Sequence, residues 1–218
     1  MQTTEEQSGL LNPVYANKIK RAILINIIAF CALFWPIDAV QLIGAIVFLG
    51  TVYGVANDMI ACRDCIEYFT FGHVFDGQNY RWRPLNSLDP DLNAIVWGML
   101  ATWPFCVAAG LILAICAQLP IPYVSVTIST VQVFRYAKRI AITALPISHI
   151  ISSAVSKYYA TRTIPSIYSK PPYNVPPEYQ LKWLMCDVRN STGYLALFLG
   201  TIVLSGVVLA ARCDMITL

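Results

Sequence analysis

Between Gly50 and His73 the chain reads GTVYGVANDMIACRDCIEYFTFGH, an apolar run that ends in groups able to carry protons, cations or electrons. Asn57, Asp58, Asp64 and Glu67 supply oxygens. Carboxylates held where the dielectric is low can relay protons or bind cations, so an ion or proton site is one expectation for this helix end. The structural alternative has Asn57 and Asp58 ending a helix at the lipid headgroups, with Glu67 paired to Arg63 four residues earlier. Cys62 and Cys65 form a candidate redox pair in C-x-x-C spacing. Two thiols so placed can close a reversible disulfide, and a neighbouring arginine favours the thiolate. His73 would add a third zinc ligand, but no fourth ligand and no βαβ scaffold accompany it. Neither a metal centre nor a cofactor is therefore expected.

Two polar residues stand apart from this cluster. Asp38 follows Pro36 by two positions inside an apolar run, where it would cap a restarted helix or face a polar cavity. His149 sits beside Ser148, Ser152 and Ser153 and suits a hydrogen bond between helices or a proton relay. Asp38, Asn57, Asp58, Glu67 and His149 make up the candidate polar or transport site. No Ser/His/Asp order, phosphate loop, HExxH or dinucleotide fingerprint is present. The expected role is non-enzymatic: handling an ion or small solute, or assisting membrane assembly. The alternative is a membrane thiol–disulfide oxidoreductase using Cys62 and Cys65.

The elements that must position these groups belong in a bilayer. Of 218 residues, 57% are hydrophobic and 12% charged, about half the charged share of soluble domains, and the mean hydropathy is +0.58. The fold class expected is all-α, a polytopic integral membrane bundle of four transmembrane helices with a long or kinked first helix. Residues 1–21 read as a polar cytoplasmic tail and 22–218 as a single membrane domain, with spans at about 22–60, 93–117, 140–158 and 191–212. The first run would measure roughly 58 Å as a straight helix, and Trp35-Pro36 offers a kink because proline lacks a backbone donor. Arg135, Lys138 and Arg139 share one helical face and predict a membrane-surface helix over about 124–138 ahead of the third span. Pro165, Pro171, Pro172, Pro176 and Pro177 predict an extended path before the last span.

Four spans place both termini on one side, with Lys18, Lys20, Arg21, Arg135, Lys138 and Arg139 facing the cytoplasm. Lys157, Arg162, Lys170, Lys182 and Arg189, in the 157–190 connection, oppose that orientation. Gly50-x-x-x-Gly54 lets a neighbouring backbone approach, more simply within the chain than between copies, and Gly200, Ser205 and Gly206 give the last span a similar face. Seven cysteines, an odd number, do not form a secreted disulfide framework. No basic stripe interleaved with aromatics is present, so no nucleic-acid partner is expected. Asn190-Ser191-Thr192 matches a glycosylation acceptor but abuts a membrane helix. The expected partners are the lipid bilayer and either a second copy, as a homo-oligomer, or another membrane protein.

Tyr53-Gly54, Asn57-Asp58, Glu67-Tyr68-Phe69-Thr70, Trp97-Gly98, Ala101-Thr102-Trp103 and Asn190-Ser191 ahead of Tyr194 together resemble a family of bacterial multi-pass membrane proteins. Its blocks are YG-x-x-x-D, EYFT and ATW. The resemblance implies four spans and a cell membrane location, the bacterial inner membrane, and it supplies no mechanism. The family pattern has a proline before Glu-Tyr-Phe where this chain has Cys65-Ile66, so the C-x-x-C pair does not follow from the resemblance.

Overall fold

The computed structural model describes residues 15–32, 38–71, 89–118, 126–170 and 174–217. They form α1 (Ala16–Ala32), α2 (Asp38–Asp64), α3 (Glu67–Phe71), α4 (Pro90–Gln118), α5 (Thr130–Tyr159) and α6 (Gln180–Arg212), plus a 3-10 turn at Ser166–Ser169. No strand occurs among the described residues. Helices α2, α4, α5 and α6 are each long and apolar enough to cross a membrane. The fold is an all-α helical bundle, as the apolar runs predict.

The long first run is two helices. Asp38 opens α2, where a carboxylate favours the exposed N–H groups of the first turn; Trp35 and Pro36 lie outside the described residues. Helix α1 spans 17 residues, about 26 Å, and runs antiparallel to α2. Tyr15 and Ile19 pack on Val96, near the start of α4, while Phe30 meets Phe48, nearer the start of α2, at 6.3 Å between ring centroids. The bundle thus has an Asp64 end, where α2 finishes and α4 begins, and an Asp38 end.

This course of α1 changes the expected charge layout. Lys18, Lys20 and Arg21 stand at the Asp64 end, not beside Arg135, Lys138 and Arg139 in the other half of the bundle. One antiparallel helix more than the four long ones also separates the described chain ends: Arg212 closes α6 at the Asp38 end. There it donates to Cys116 O at 2.9 Å and Val126 O at 2.8 Å, and a cation at the final carbonyls of α4 is favoured by the helix dipole.

The basic stretch expected on a separate surface helix lies in α5, which is one helix of 30 residues. Ser129 and Gln132 form a capping box that starts it at Thr130, and Arg135, Lys138 and Arg139 all point outward. Arg139 lies over the Tyr136 ring, 5.4 Å from its centroid; long basic side chains can keep their stems on apolar surface in this way. The helix that carries the last apolar run starts at Gln180, about three turns before residue 191. The chain before it folds back instead of running extended: Val175 N–H donates to Tyr168 O at 2.8 Å, and Tyr168 packs on Trp183 with centroids 5.0 Å apart. Pro171 and Pro172 lie outside the described residues.

Helices α2 and α4 pack closely because side chains are missing where they cross. A Cβ on Gly98 would overlap the backbone of Gly54 and Val55, and one on Gly54 would overlap Thr102. Gly50 sits on the Cys106 thiol of α4, so Gly50-x-x-x-Gly54 packs within the chain. Gly200 rests on Ile140 of α5, whereas Gly206 has nothing within 4 Å.

Candidate functional site

The Asp64 end of the bundle gathers most of the buried polar side chains. Asn57 and Asp58 both lie on α2, Asp58 about 9 Å inside its end, and both are buried. Asn57 Nδ2 donates to Asn190 Oδ1 on α6, and it lies 3.4 Å from Asp58 Oδ1. Asn190 Nδ2 then donates to the Tyr68 hydroxyl on α3 at 2.9 Å. One network of side chains therefore ties α2, α3 and α6 together. Burial, then the Asp187 carboxylate, pushes the Tyr68 phenol above its ordinary range, while the Asn190 hydrogen bond pulls the other way.

Arg189 is the neighbouring charge. Its side chain is fully buried and donates to Asp64, whose side chain is 29% exposed. Its second terminal nitrogen lies 3.7 Å from Cys186 Sγ, and its Nε has no hydrogen-bond partner. Asp58 feels this guanidinium electrostatically but is not in either ion pair found among the described residues. Two carboxylates thus share one cation. Asn57 Oδ1 is also buried without a partner, and the Tyr53 hydroxyl, one turn before Asn57, lies against Gly193 beside Ser148.

The residues expected to form the site divide. Asn57 and Asp58 lie at its centre. Glu67 stands at the start of α3, its Oε2 accepting from Cys65 Sγ at 3.5 Å. Arg63, expected to pair with Glu67, donates to Asp91 at 3.0 Å. Asp38 is exposed at the far end of α2, and its backbone carbonyl accepts from Thr130 at 2.8 Å. His149 is exposed on α5, away from the network. Arg189, Asn190, Tyr68 and Tyr53 complete the cluster. Of these, Arg189 reads in sequence as an ordinary loop charge and Asn190 as a glycosylation acceptor.

The cysteines are arranged differently from their spacing. Cys62 turns toward Asp91, 3.6 Å from Oδ1, and toward Met59 O at 3.2 Å. Cys65 has the Cys186 thiol of α6 as its neighbour, which draws the Cys65 thiol below its ordinary value against the desolvation that opposes it. All seven thiols are free. Among the described residues no three His, Cys, Asp or Glu side chains converge as metal ligands; His73 lies outside those residues.

Residues of the sequence blocks meet here. Gly54 abuts Gly98 and Thr102, and Asn57, Tyr68 and Asn190 are joined by hydrogen bonds. No family model, curated protein or solved structure matches the chain.

Proposed function

We propose that this membrane protein binds a proton or a monovalent cation inside its bundle, at Asp58, and that ion handling is its role. The observation that carries this is the charge balance: Asp58 is 4% exposed and Arg189 is already engaged by Asp64. A buried carboxylate without its own cation is balanced by a proton or by a bound ion. Asn57 Oδ1, free of any donor, and the Tyr53 hydroxyl supply neutral oxygens near it, the ligand type hard cations take.

The test uses purified protein in vesicles carrying an internal pH-sensitive or sodium-sensitive dye, under an imposed potential. The wild type passes protons or sodium and Asp58→Asn does not. Unfolding temperature, followed against Na⁺, K⁺ and pH at constant ionic strength, responds to one of them only when Asp58 is present. Equal flux and equal ion response in both proteins would reject the reading in favour of a purely structural network, as in an assembly factor.

A thiol–disulfide role draws less support, since Cys62 and Cys65 face different partners. It would require Cys62 and Cys65 to be trapped as a disulfide in cells. Membership of the family with YG-x-x-x-D, EYFT and ATW blocks is a proposal that rests on the residues of those blocks alone.

The orientation we propose puts the Asp64 end in the cytoplasm. Lys18, Lys20, Arg21, Arg63, Lys157, Arg162, Lys170 and Lys182 lie toward that end and Arg135, Lys138, Arg139 and Arg212 toward the other. Basic residues accumulate on the cytoplasmic side.

A further inference from the structure

A groove of about 610 Å³ runs along the outer surface between α1 and α2, lined chiefly by Ile23, Ile27 and Phe30 on one side and Phe48, Val52 and Met59 on the other. Of its two polar side chains, Asn26 already donates to Ala22 O at 2.8 Å, while the Thr51 hydroxyl is buried in the wall without a partner; the rest of the lining is apolar. Lined by branched aliphatic, aromatic and thioether side chains on the outer surface, the groove suits a flexible hydrocarbon chain.

Charge marks one mouth of the groove. Side chains three and four apart share a helix face. Continuing the α1 face from Ile23 and Ile27 one turn toward the Asp64 end reaches Lys20, and continuing the α2 face from Met59 reaches Arg63. Both are exposed. Arg63 donates to Met59 O at 3.1 Å and makes a solvent-exposed pair with Asp91, a contact of small worth that an anion can displace.

We propose that this groove binds an anionic phospholipid, its acyl chain between α1 and α2 and its phosphate between Lys20 and Arg63. Basic pockets between membrane helices select anionic headgroups in this manner. The site is separate from Asp58 and does not depend on ion handling.

The full-length protein, reconstituted in nanodiscs with equal amounts of phosphatidylglycerol and phosphatidylcholine of matched chains, is released for native mass spectrometry. The wild type retains phosphatidylglycerol preferentially, by about five-fold for each basic side chain. Lys20→Gln lowers the ratio by about that factor, Lys20→Arg preserves it, and Lys20→Gln with Arg63→Gln brings it near one. Val52→Trp, which fills the groove, reduces retention of both lipids. Because Arg63 also meets Asp91, the Lys20 variants decide the matter if the double variant unfolds. Retention in the supplied ratio by the wild type, or an unchanged ratio in Lys20→Gln, overturns the proposal. So does crosslinking of a photoreactive residue at Val52 to a second polypeptide in place of lipid.

Discussion

Arg189 is the residue whose role depends most on its surroundings. Buried beneath Asp64 and Cys186, it cannot be lost without leaving a carboxylate and a desolvated cleft unmatched. Arg189→Met should lower stability by about 2 kcal/mol, the scale of a hydrogen bond to a charged group, measured as unfolding in detergent. Adding Asp64→Asn should recover part of that loss, because the orphaned charge goes with it. Tyr68 gives a second readout. The fold holds its neutral form, so its contribution is complete below the free phenol value near 10 and is lost as pH climbs through the higher folded value. Unfolding temperature should fall above about pH 10, and Tyr68→Phe should flatten that fall while removing the acceptor for Asn190. A wild-type curve indistinguishable from Tyr68→Phe up to pH 11 would contradict this, a range set by the free phenol value near 10.

At the scale of elements, two glycines of the same type have opposite roles. Gly98 faces the α2 backbone, which has no side chain to swing away. Gly98→Ala should therefore force α2 and α4 apart and cost about 2–3 kcal/mol, the usual range for overpacking. Gly206 faces open space, and Gly206→Ala should raise stability by about 0.5–1 kcal/mol through helix propensity alone. Thermal unfolding of the two variants side by side checks both signs. In sequence the two positions are equivalent small residues in apolar helices. Only the crossing of α2 and α4 separates them.

For the whole molecule, the orientation is the testable quantity. In sealed right-side-out vesicles, Lys138→Cys should react with a membrane-impermeant maleimide and Lys182→Cys should react only after permeabilisation, in a background with exposed Cys31 and Cys213 replaced. The reverse pattern would place the Asp64 end outside. The same measurement bears on α1, since its antiparallel course is what carries Lys18, Lys20 and Arg21 to the end shared with Lys182.

Much of the bundle was legible because hydrophobic run length is set by bilayer thickness; the four long helices follow from it. Asn57 and Asp58 were legible too, since amide and carboxylate groups closing an apolar run must be satisfied or used. The break between α1 and α2 was legible in Pro36 and Asp38, but the antiparallel course of α1, the single helix across residues 130–159 and the early start of α6 were not. Caps such as Ser129 and basic side chains that reach outward let polar stretches stay helical, and local pattern reads those stretches as surface or loop. The partners Arg63–Asp91, Arg189–Asp64 and Cys65–Cys186 lie 28, 125 and 121 positions apart. Local spacing paired Arg63 with Glu67 and Cys65 with Cys62, because a sequence displays only neighbours along the chain. Which charge is buried, and which carboxylate is left to balance itself, was decided by how the helices cross.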